Sequence, residues 1–402
     1  MKNWKCTSSH ATRTDPTAAR RSWLVQAGRL SYRRSLRAIL ASSTTVVPFL
    51  ILCLLSLLTG CATANKENIS LPPPSACLGG SGPFVQTQGR AFVIGNAPAR
   101  LMFATMYPYM QVGDKIYRAS AWLRSDFPAY IDQMLDLAQA AHLNTIRATD
   151  FLNAASDWHA PQVWENLDTL LCHARSRGMH VVISLTTFGN MLRAQGKFAY
   201  NPADWKAYLD FVGQRYRNER AIAYYAIAGE PLPPNGHDPL RPTADQLVAF
   251  YRATAAELAG ADGGKHLIST GGLSFLNGDY GIPWQTIFAL PHISLAAIHV
   301  YSEGDRDITM PQVSAWAAQR NEPFVLEEFG FRQQMGDQAR AAAYTDIFAR
   351  AQAAGAAGVG FWNLGPEIAP GSFEVNPSTP LTWAEVQQFA LMFNPARLSD
   401  LQ

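Results

Sequence analysis

Eight short apolar runs alternate with amphipathic stretches between Leu101 and Trp362, and this alternation constrains the fold more than any other feature of the chain. The apolar runs are rich in Ile, Val, Tyr and Phe, which is typical of strands buried on both faces of a parallel sheet. The predicted strands are Leu101–Met106, Leu143–Ala148, His180–Leu185, Ile222–Ala228, His266–Thr270, Ser294–Val300, Pro323–Glu327 and Ala356–Trp362.

The stretches between these strands predict helices. Asn166–Leu171 has apolar residues three and four apart, and Thr243 stands where a helix-capping residue is expected. Eight strand–helix alternations predict an α/β fold of the (β/α)8 TIM-barrel type. A doubly wound open sheet is the alternative, but no Gly-x-Gly-x-x-Gly follows the first strand, so nucleotide binding has no support. The predicted helices are Tyr130–Ala141, Val163–Arg177, Pro202–Tyr216, Ala244–Leu258, Met310–Arg320 and Gln338–Ala354.

Residues 1–60 have the pattern of a secretory signal peptide. They carry nine Lys or Arg residues and one acid, and an apolar run from Val46 to Leu58 follows the basic region. The run is short and contains Pro48, so it suits a membrane-spanning helix poorly. The sequence Leu58-Thr59-Gly60-Cys61 resembles the lipobox of bacterial lipoproteins, in which the Cys is acylated. We therefore expect a lipid anchor on Cys61. The alternative is an ordinary signal or anchor helix in which this Cys is incidental.

A lipid anchor on Cys61 would place the protein in the cell envelope after export across the inner membrane. Ala62 stands where a retaining Asp would be, which favours the outer membrane. Residues 61–83 contain Pro72-Pro73-Pro74 and Gly79-Gly80, and they predict a lipidated Cys followed by a semi-extended tether. Residues 84–396 then form one globular barrel domain. We expect a monomer that contacts the membrane only through its anchor.

The positive net charge of the whole chain belongs to the signal region. The chain has 33 basic and 31 acidic residues, but the part after residue 60 has 24 basic and 30 acidic residues, a net charge of −6. In that part no basic stripe with interleaved aromatic residues remains. The composition therefore argues against nucleic acid as a partner.

Two cysteines remain in the predicted mature chain besides Cys61. Cys77 and Cys172 can form a disulfide, because an exported protein folds in an oxidising compartment. Cys172 also lies in Leu170-Leu171-Cys172-His173, within a predicted helix, where a free Cys behaves as a small core residue. The sequence favours the core interpretation and leaves the disulfide as the alternative.

Two glutamate motifs stand at the ends of predicted strands. They are Ala228-Gly229-Glu230-Pro231 and Leu326-Glu327-Glu328-Phe329-Gly330. A carboxylate at such a strand end lies on the face where barrel enzymes carry their catalytic groups, and two of them suggest an acid and a nucleophile acting on one glycosidic bond. Glu327 competes with Glu328 for the second role, and strand alternation predicts that these two neighbours point to opposite faces.

Further motifs follow one another in a fixed order along the predicted strands. From Phe84 to about Phe393, this ordered set resembles the family 5 glycoside hydrolases, and most closely their endo-β-1,4-mannanase branch. The matching segments are Arg90-Ala91-Phe92-Val93-Ile94 before the first barrel strand, Leu143-Asn144-Thr145-Ile146-Arg147 on the second, Gly229-Glu230-Pro231 after the fourth, His299-Val300-Tyr301 on the sixth, Glu328-Phe329-Gly330 after the seventh and Phe361-Trp362 on the eighth.

The resemblance implies roles for individual residues. It implies a retaining reaction between carboxyl groups about 5–5.5 Å apart, with Glu230 as acid/base and Glu328 as nucleophile. A negative charge on Glu328 is expected to raise the pKa of Glu230. Arg147 and Tyr301 are expected to keep Glu328 ionised through hydrogen bonds, and His299 to orient the acid/base region. Trp362 resembles the family's aromatic platform under the sugar ring.

The resemblance also implies a substrate class, and it implies a reaction that needs neither a metal nor an organic cofactor. The expected substrate is a β-1,4-linked polysaccharide or oligosaccharide, specifically β-mannan. The alternatives are an endo-β-1,4-glucanase of the same fold and a non-catalytic, lipid-anchored glycan-binding barrel. Three departures bear on this choice: Gly229 replaces the family's usual Asn, the third strand ends without the family's His or Asn pair, and no Trp follows Tyr301 as it does in mannanases.

Overall fold

The structure, a computed structural model, describes residues 71–107, 110–112, 115–117, 119–152, 158–365 and 372–394. The predicted signal peptide and the predicted lipidation site Cys61 lie outside the described residues. Within the described ranges, no helix has both the length and the apolar character needed to cross a membrane.

A small antiparallel sheet precedes the barrel. It consists of β1 (Val85–Gln88), β2 (Ala91–Ile94) and β3 (Ala97–Ala99). A second hairpin follows the first barrel strand and is formed by β5 (Met110–Val112) and β6 (Lys115–Tyr117).

Eight parallel strands form the central sheet, and all eight predicted strands are confirmed, seven of them with shifted ends. Their order is β10-β9-β8-β7-β4-β13-β12-β11. The two outermost strands are joined by a parallel bridge between Leu273, just beyond β10, and Ile298 on β11, which brings the sheet close to a closed barrel. The barrel strands are β4 (Leu101–Met106), β7 (Thr145–Ala148), β8 (His180–Ser184), β9 (Ile222–Ala226), β10 (Leu267–Ser269), β11 (Ala296–Val300), β12 (Phe324–Phe329) and β13 (Gly358–Leu364).

Helices connect the parallel strands, as right-handed crossovers in a (β/α)8 barrel require. The long helix α5 begins with a full capping box, in which Thr243 and Gln246 satisfy each other's backbone N–H groups. The helices are α1 (Phe127–Ala140), α2 (Pro161–Ser176), α3 (Thr186–Ala194), α4 (Pro202–Tyr216), α5 (Ala244–Asp262), α6 (Trp284–Phe288), α7 (Met310–Gln319), α8 (Asp337–Ala353) and α9 (Pro380–Phe393).

The core has two layers that follow the alternation of side chains along each strand. One buried cluster takes every second strand residue, among them Phe103, Tyr224, Ala226, Ala297 and Val325. The other takes the intervening residues and packs them against the helices. This division is typical of a barrel with a filled interior, whose catalytic groups lie at the carboxyl ends of the strands.

Residues 71–83 are attached to the outside of the barrel, so this part of the predicted tether is not a free linker. A disulfide joins Cys77 to Cys172 on α2, which corrects the favoured interpretation of Cys172 as an unpaired core residue. The backbone N–H of Ser75 donates to Asp168 at 2.8 Å, and the N–H of Gly79 donates to Glu219 at 2.8 Å. The sequence pattern missed this attachment because its partners lie about 95 to 140 positions away, beyond any local signal.

Candidate active site

The predicted site residues come from different barrel strands and meet at one end of the barrel. Arg147 lies on β7, His299 on β11 and Glu328 on β12, while Glu230 and Tyr301 follow β9 and β11. These side chains form one continuous network of hydrogen bonds and ion pairs. The network lies at the carboxyl ends of parallel strands, where the sequence placed it.

Glu328 is held by donors on both of its carboxylate oxygens. Arg147 Nη1 lies 2.5 Å from Oε2, and the Tyr301 hydroxyl donates to Oε1 at 2.7 Å. Burial of the Tyr301 hydroxyl and the adjacent Glu328 carboxylate raise the pKa of Tyr301 well above its usual value, so the phenol remains a donor. Burial opposes the charge on Arg147, but the carboxylates beside it, first that of Glu328, raise its pKa. Hydrogen-bond donors therefore hold both carboxylate oxygens of Glu328 in place.

Glu327 contacts the same two cationic side chains as Glu328, so the prediction that these neighbours point to opposite faces is wrong. The pairing of β11 with β12 shifts register here: Ile298 is opposite Leu326, and His299 is opposite Glu328. Glu327 is the extra residue of this bulge, and a bulge re-aims side chains that simple alternation would separate. Its carboxylate lies 3.4 Å from His299 Nε2.

Glu327 is fully buried beneath the cleft and is satisfied by neutral donors as well. The Tyr224 hydroxyl donates to Oε1 at 3.0 Å, and the Ser269 hydroxyl donates to the same atom at 3.3 Å. Arg147 Nη2 lies 3.7 Å from Oε2. Burial alone would favour the neutral acid, but the bond with His299 and the charge of Arg147 outweigh it and lower the pKa of Glu327. The buried group is thus a carboxylate.

His299 lies between the three carboxylates. Its Nδ1 is 3.0 Å from Glu230 Oε1 and 3.8 Å from Glu328 Oε1, and its Nε2 faces Glu327. Burial opposes a charge on the ring, but the surrounding carboxylates, first that of Glu328, raise the pKa of His299 to about 10. Because a carboxylate can only accept, an imidazole between ionised carboxylates must donate from both nitrogens.

Glu230 occupies the rim of the cleft in a left-handed backbone conformation, with φ of 48°. Its Oε1 accepts from His299 and from the Ser274 hydroxyl at 3.2 Å, and 47% of its side chain is exposed. Burial of the carboxyl favours the neutral acid, but the His299 bond outweighs it and lowers the pKa of Glu230. The sequence led us to expect a raised pKa for Glu230, but the net shift is downward, because the hydrogen bond with His299 and the charge of its imidazole outweigh burial.

Gly229 replaces the family's usual Asn, and the local backbone explains why a side chain is missing. A Cβ on Gly229 would lie 2.1 Å from the carbonyl oxygen of Gly271, and a Cβ on Gly272 would lie 2.0 Å from His299 Nε2. Both Gly271 and Gly272 have positive φ, at 95° and 84°. The segment after β10 therefore fills the space beside Glu230 with backbone, and Glu230 N–H donates to the Gly272 carbonyl at 2.9 Å.

Aromatic side chains occur on elements that neighbour those of the cluster. Trp362, the predicted platform, is half-buried on β13, the neighbour of β12, and its ring centroid lies 4.5 Å from that of Tyr107. Phe275 follows Ser274, is 40% exposed and lies 5.3 Å from the ring of Tyr280, which is equally exposed. The role of Trp362 beneath a sugar remains a prediction.

Sequence reasoning missed Ser274 and the Phe275–Tyr280 pair. Ser274 follows Gly271-Gly272-Leu273, and this paired glycine at a strand end was the available signal of a close backbone approach. The sequence identified Glu327 only as an alternative to Glu328, because regular alternation of side chains along the strand did not predict its contact with His299.

A metal-like spacing occurs once among the described residues. Glu230, His299 and Glu328 each present one ligand atom, and these atoms lie within 4.8 Å of one another. The three groups already pair with each other, with Arg147 and with the Tyr301 hydroxyl. The three groups are therefore linked to one another by charge-assisted hydrogen bonds and ion pairs.

Comparison with known proteins places the chain in context. Residues 112–367 match the model of the family "Cellulase (glycosyl hydrolase family 5)". No curated protein sequence matches the chain at a significant level.

Solved structures share the fold at low sequence identity. The endo-1,4-β-mannanase of Rhizomucor miehei has a TM-score of 0.62 and 17% identity, covering 77% of this chain and 99% of its own. The endo-β-1,4-mannanase of Thermotoga petrophila has a TM-score of 0.58 and 17% identity, with 74% and 77% covered. The major endoglucanase catalytic domain of Xanthomonas campestris has a TM-score of 0.50 and 15% identity, with 77% and 99% covered. At this identity the likeness shows the barrel fold.

Proposed function

This chain belongs to glycosyl hydrolase family 5, and from that premise we propose that it cleaves a β-1,4-linked glycan with retention, using Glu230 as acid/base and Glu328 as nucleophile. The observation that carries the proposal is the shared approach of both carboxylates to His299 Nδ1, at 3.0 and 3.8 Å. One oxygen of each carboxylate lies within 4.8 Å of the other. That separation suits covalent catalysis and is short for an inverting pair, which must leave room for water.

The environment of Glu328 supports the nucleophile role. In the first step, one of its oxygens attacks the anomeric carbon while the bond to the leaving oxygen breaks. Arg147 and the Tyr301 hydroxyl keep the carboxylate ionised and oriented before the attack. As the glycosyl ester forms, the charge on Glu328 disappears, and the Tyr301 hydroxyl becomes free to interact with the ring oxygen side of the sugar.

The environment of Glu230 supports the acid/base role. His299 and Ser274 both contact Oε1, and Oε2 has no hydrogen-bond partner among the described residues. Oε2 is therefore the oxygen that faces a leaving group, donating a proton in the first step and accepting one from water in the second. Loss of the Glu328 charge in the ester intermediate lowers the proton affinity of the cluster, which favours Glu230 as a base at that stage.

The proposed substrate is β-mannan, and an endo-β-1,4-glucanase is the second candidate. The mannan assignment follows the resemblance of the sequence motifs to the mannanase branch, and two of the solved neighbours are named as mannanases. The glucanase alternative is motivated by the missing Trp after Tyr301 and by a neighbour named as an endoglucanase. Reducing-end release from mannan and from soluble cellulose separates the two.

The roles of the two glutamates can be tested with azide as an external nucleophile. Glu328→Ala and Glu230→Ala are assayed on an activated aryl β-glycoside with and without azide, beside wild type. Without Glu328, azide attacks the anomeric carbon directly and should give an α-glycosyl azide. Without Glu230, azide attacks the ester intermediate and should give a β-glycosyl azide.

The configuration of each azide product decides the assignment. Exchanged configurations would mean that the roles are reversed, and full activity of Glu328→Ala would remove it from catalysis. Glu327→Ala, assayed in parallel, tests whether Glu327 is the nucleophile instead of Glu328. A folded wild type that binds oligosaccharide but releases no product from mannan, glucan or xylan would favour the non-catalytic binding barrel.

We also propose that the enzyme works as a lipoprotein of the cell envelope, anchored through Cys61. The lipobox-like Leu58-Thr59-Gly60-Cys61 motivates this proposal, and the Cys77–Cys172 disulfide is consistent with an oxidising compartment. Metabolic labelling with a palmitate analogue should label the wild type and leave Cys61→Ser unlabelled. Equal labelling of both would exclude Cys61 as the anchor.

A further inference from the structure

Glu327 has no part in the chemistry proposed above, yet it is the most completely enclosed acid of the cluster. None of its surface is exposed, and its two oxygens have four neighbouring donors. Keeping a carboxylate ionised in such a place is costly unless it is paired. The bulge in β12 places it there beside Glu328, so the local backbone departs from regular pairing to bring both acids to His299.

The two oxygens of Glu327 have different kinds of neighbour: two hydroxyl groups contact Oε1, and two basic side chains face Oε2. Oε1 accepts from the hydroxyls of Tyr224 and Ser269, which fix the carboxylate in position. Oε2 faces His299 Nε2 at 3.4 Å and Arg147 Nη2 at 3.7 Å. Because Oε2 is an acceptor, the Nε2 atom opposite it must carry a proton.

The opposite nitrogen of His299 faces the acid/base. Nδ1 is 3.0 Å from Glu230 Oε1, and this is the shortest contact of the ring with a carboxylate. The backbone also limits the ring: Gly272 packs so close to Nε2 that a Cβ there would lie 2.0 Å away. The chain Glu327–His299–Glu230 thus has the arrangement of an orienting acid, an imidazole and the group that the imidazole serves.

We propose that Glu327 is a positioning residue that holds the Nε2 proton of His299 and thereby makes the Nδ1 proton the one exchanged with Glu230. This inference rests on the proposed role of Glu230 as acid/base. When the proton moves, the Nδ1–H bond breaks and an O–H bond forms at Oε1 of Glu230. A half-turn of the Glu230 carboxyl group, whose side chain is 47% exposed, then presents this proton to the leaving oxygen. The imidazole ring becomes neutral and keeps its proton on Nε2, from which it donates a hydrogen bond to Glu327. His299 and Glu230 then share one proton, and Glu327 fixes the tautomer that allows the exchange.

The pH dependence of this pair reflects every charged or titratable group around the ring. The negative charge of Glu327 stabilises the shared proton wherever it resides, so removing that charge should release the proton at lower pH. The groups facing His299 and its partners are Glu230 after β9, Tyr224 on β9, Arg147 on β7, Glu327 and Glu328 on β12, and Tyr301 after β11.

Glu327→Gln tests the proposal, because the amide keeps the shape and removes the charge. Its kcat/KM profile should lose activity on the alkaline side at a pH lower by about one unit than in wild type. Tyr224→Phe is the matched control: it removes a bond to Glu327 without removing the charge, so the alkaline limb should stay in place. An unchanged limb in Glu327→Gln would reduce Glu327 to a structural role and overturn the proposal.

A second measurement holds even if Glu327→Gln does not fold. Nitrogen-15 NMR of the histidine-labelled full-length wild type, with His299 assigned by comparison with His299→Gln, reports the protonation of each ring nitrogen. We expect a proton on Nε2 across the neutral range, with Nδ1 losing its proton first on alkaline titration. A neutral ring with its proton on Nδ1 alone would overturn the proposal. Because this readout needs no turnover, its failure is distinguishable from failure of the proposed hydrolysis, which the product assays report.

Discussion

The carbonyl oxygen of Gly271 lies 2.1 Å from the place that a Cβ atom on Gly229 would take, directly before Glu230 in the chain. The same segment accepts the Glu230 N–H and supplies the Ser274 hydroxyl to its carboxylate. The missing Asn is therefore part of a different local construction, in which backbone from the end of β10 takes the place of a side chain. A Gly at 229 is a steric requirement of that construction.

Restoring the family's residue should accordingly harm this enzyme. Gly229→Asn would force the backbone at Gly271 to move, and overpacking of this kind costs roughly 1–3 kcal/mol. We expect a lower melting temperature together with lower kcat. The control is Gly260→Asn, because the space around Gly260 is open. Higher kcat with unchanged melting temperature in Gly229→Asn would show that the segment yields easily and that the lost Asn limits turnover.

The charge on His299 predicts how stability depends on pH. Its pKa is about 10 in the folded protein and about 6.5 in an unfolded chain. A raised folded pKa contributes stability that is fully present below pH 6.5 and is lost as the pH rises to about 10, because the folded state then binds more protons than the unfolded one. Urea denaturation of wild type should show an unfolding free energy that falls through this window.

His299→Gln isolates the contribution of this one group. The variant is expected to be less stable near neutral pH, so only the slope with pH is compared. Its unfolding free energy should fall less steeply than that of wild type between pH 6.5 and about 10. Equal slopes for the two proteins would mean that His299 is neutral in the folded state.

The Cys77–Cys172 disulfide should stabilise the barrel by fixing residues 71–83 against α2. The bond closes a loop of 95 positions, and disulfides of this kind typically contribute about 2–4 kcal/mol. Chemical denaturation with and without a reductant should therefore show a lower unfolding free energy for the reduced protein. Cys77→Ser/Cys172→Ser should behave like the reduced wild type and should not respond to the reductant. Unchanged stability on verified reduction would show that the hydrogen bonds of Ser75 and Gly79 alone hold the segment.

The sequence predicted the barrel and the positions of Glu230 and Glu328 at strand ends because both depend on local patterns. Each strand carries its own apolar run, and Glu230 and Glu328 each follow such a run. The contacts of Glu327, Ser274 and Cys77 depend instead on a bulge, on a close approach of two loops and on distant partners. Alternation along a strand gives no warning of a bulge, so Glu327 was assigned to the wrong face. The direction of the Glu230 pKa shift was mispredicted for a related reason. The sequence indicated that the Glu328 carboxylate would be near Glu230, but it did not show that the His299 ring contacts Glu230 directly.

Phe275 and Tyr280 are exposed aromatic residues on a loop that is fixed from both sides. Asn235 N–H donates to the Tyr280 carbonyl at 3.0 Å, and Asn277 Nδ2 donates to Asp305 at 2.8 Å. Phe275 itself has φ of 59°, a conformation that a bulky residue adopts only where the surroundings hold it. Because this aromatic pair follows Ser274, which contacts Glu230, we predict that it binds a sugar of the substrate through its apolar face.

Phe275→Ala should therefore weaken the binding of long substrates more than it slows chemistry. We expect KM on mannan oligosaccharides to rise roughly two- to tenfold, which corresponds to a loss of about 0.4–1.4 kcal/mol of binding free energy. On a short aryl glycoside, whose leaving group does not reach the loop as a sugar would, KM and kcat should remain close to wild type. Met392→Ala is the control, since this exposed side chain lies on α9, away from the cluster. A fall in kcat on both substrates, with KM unchanged, would instead mean that Phe275 acts by holding Ser274 against Glu230.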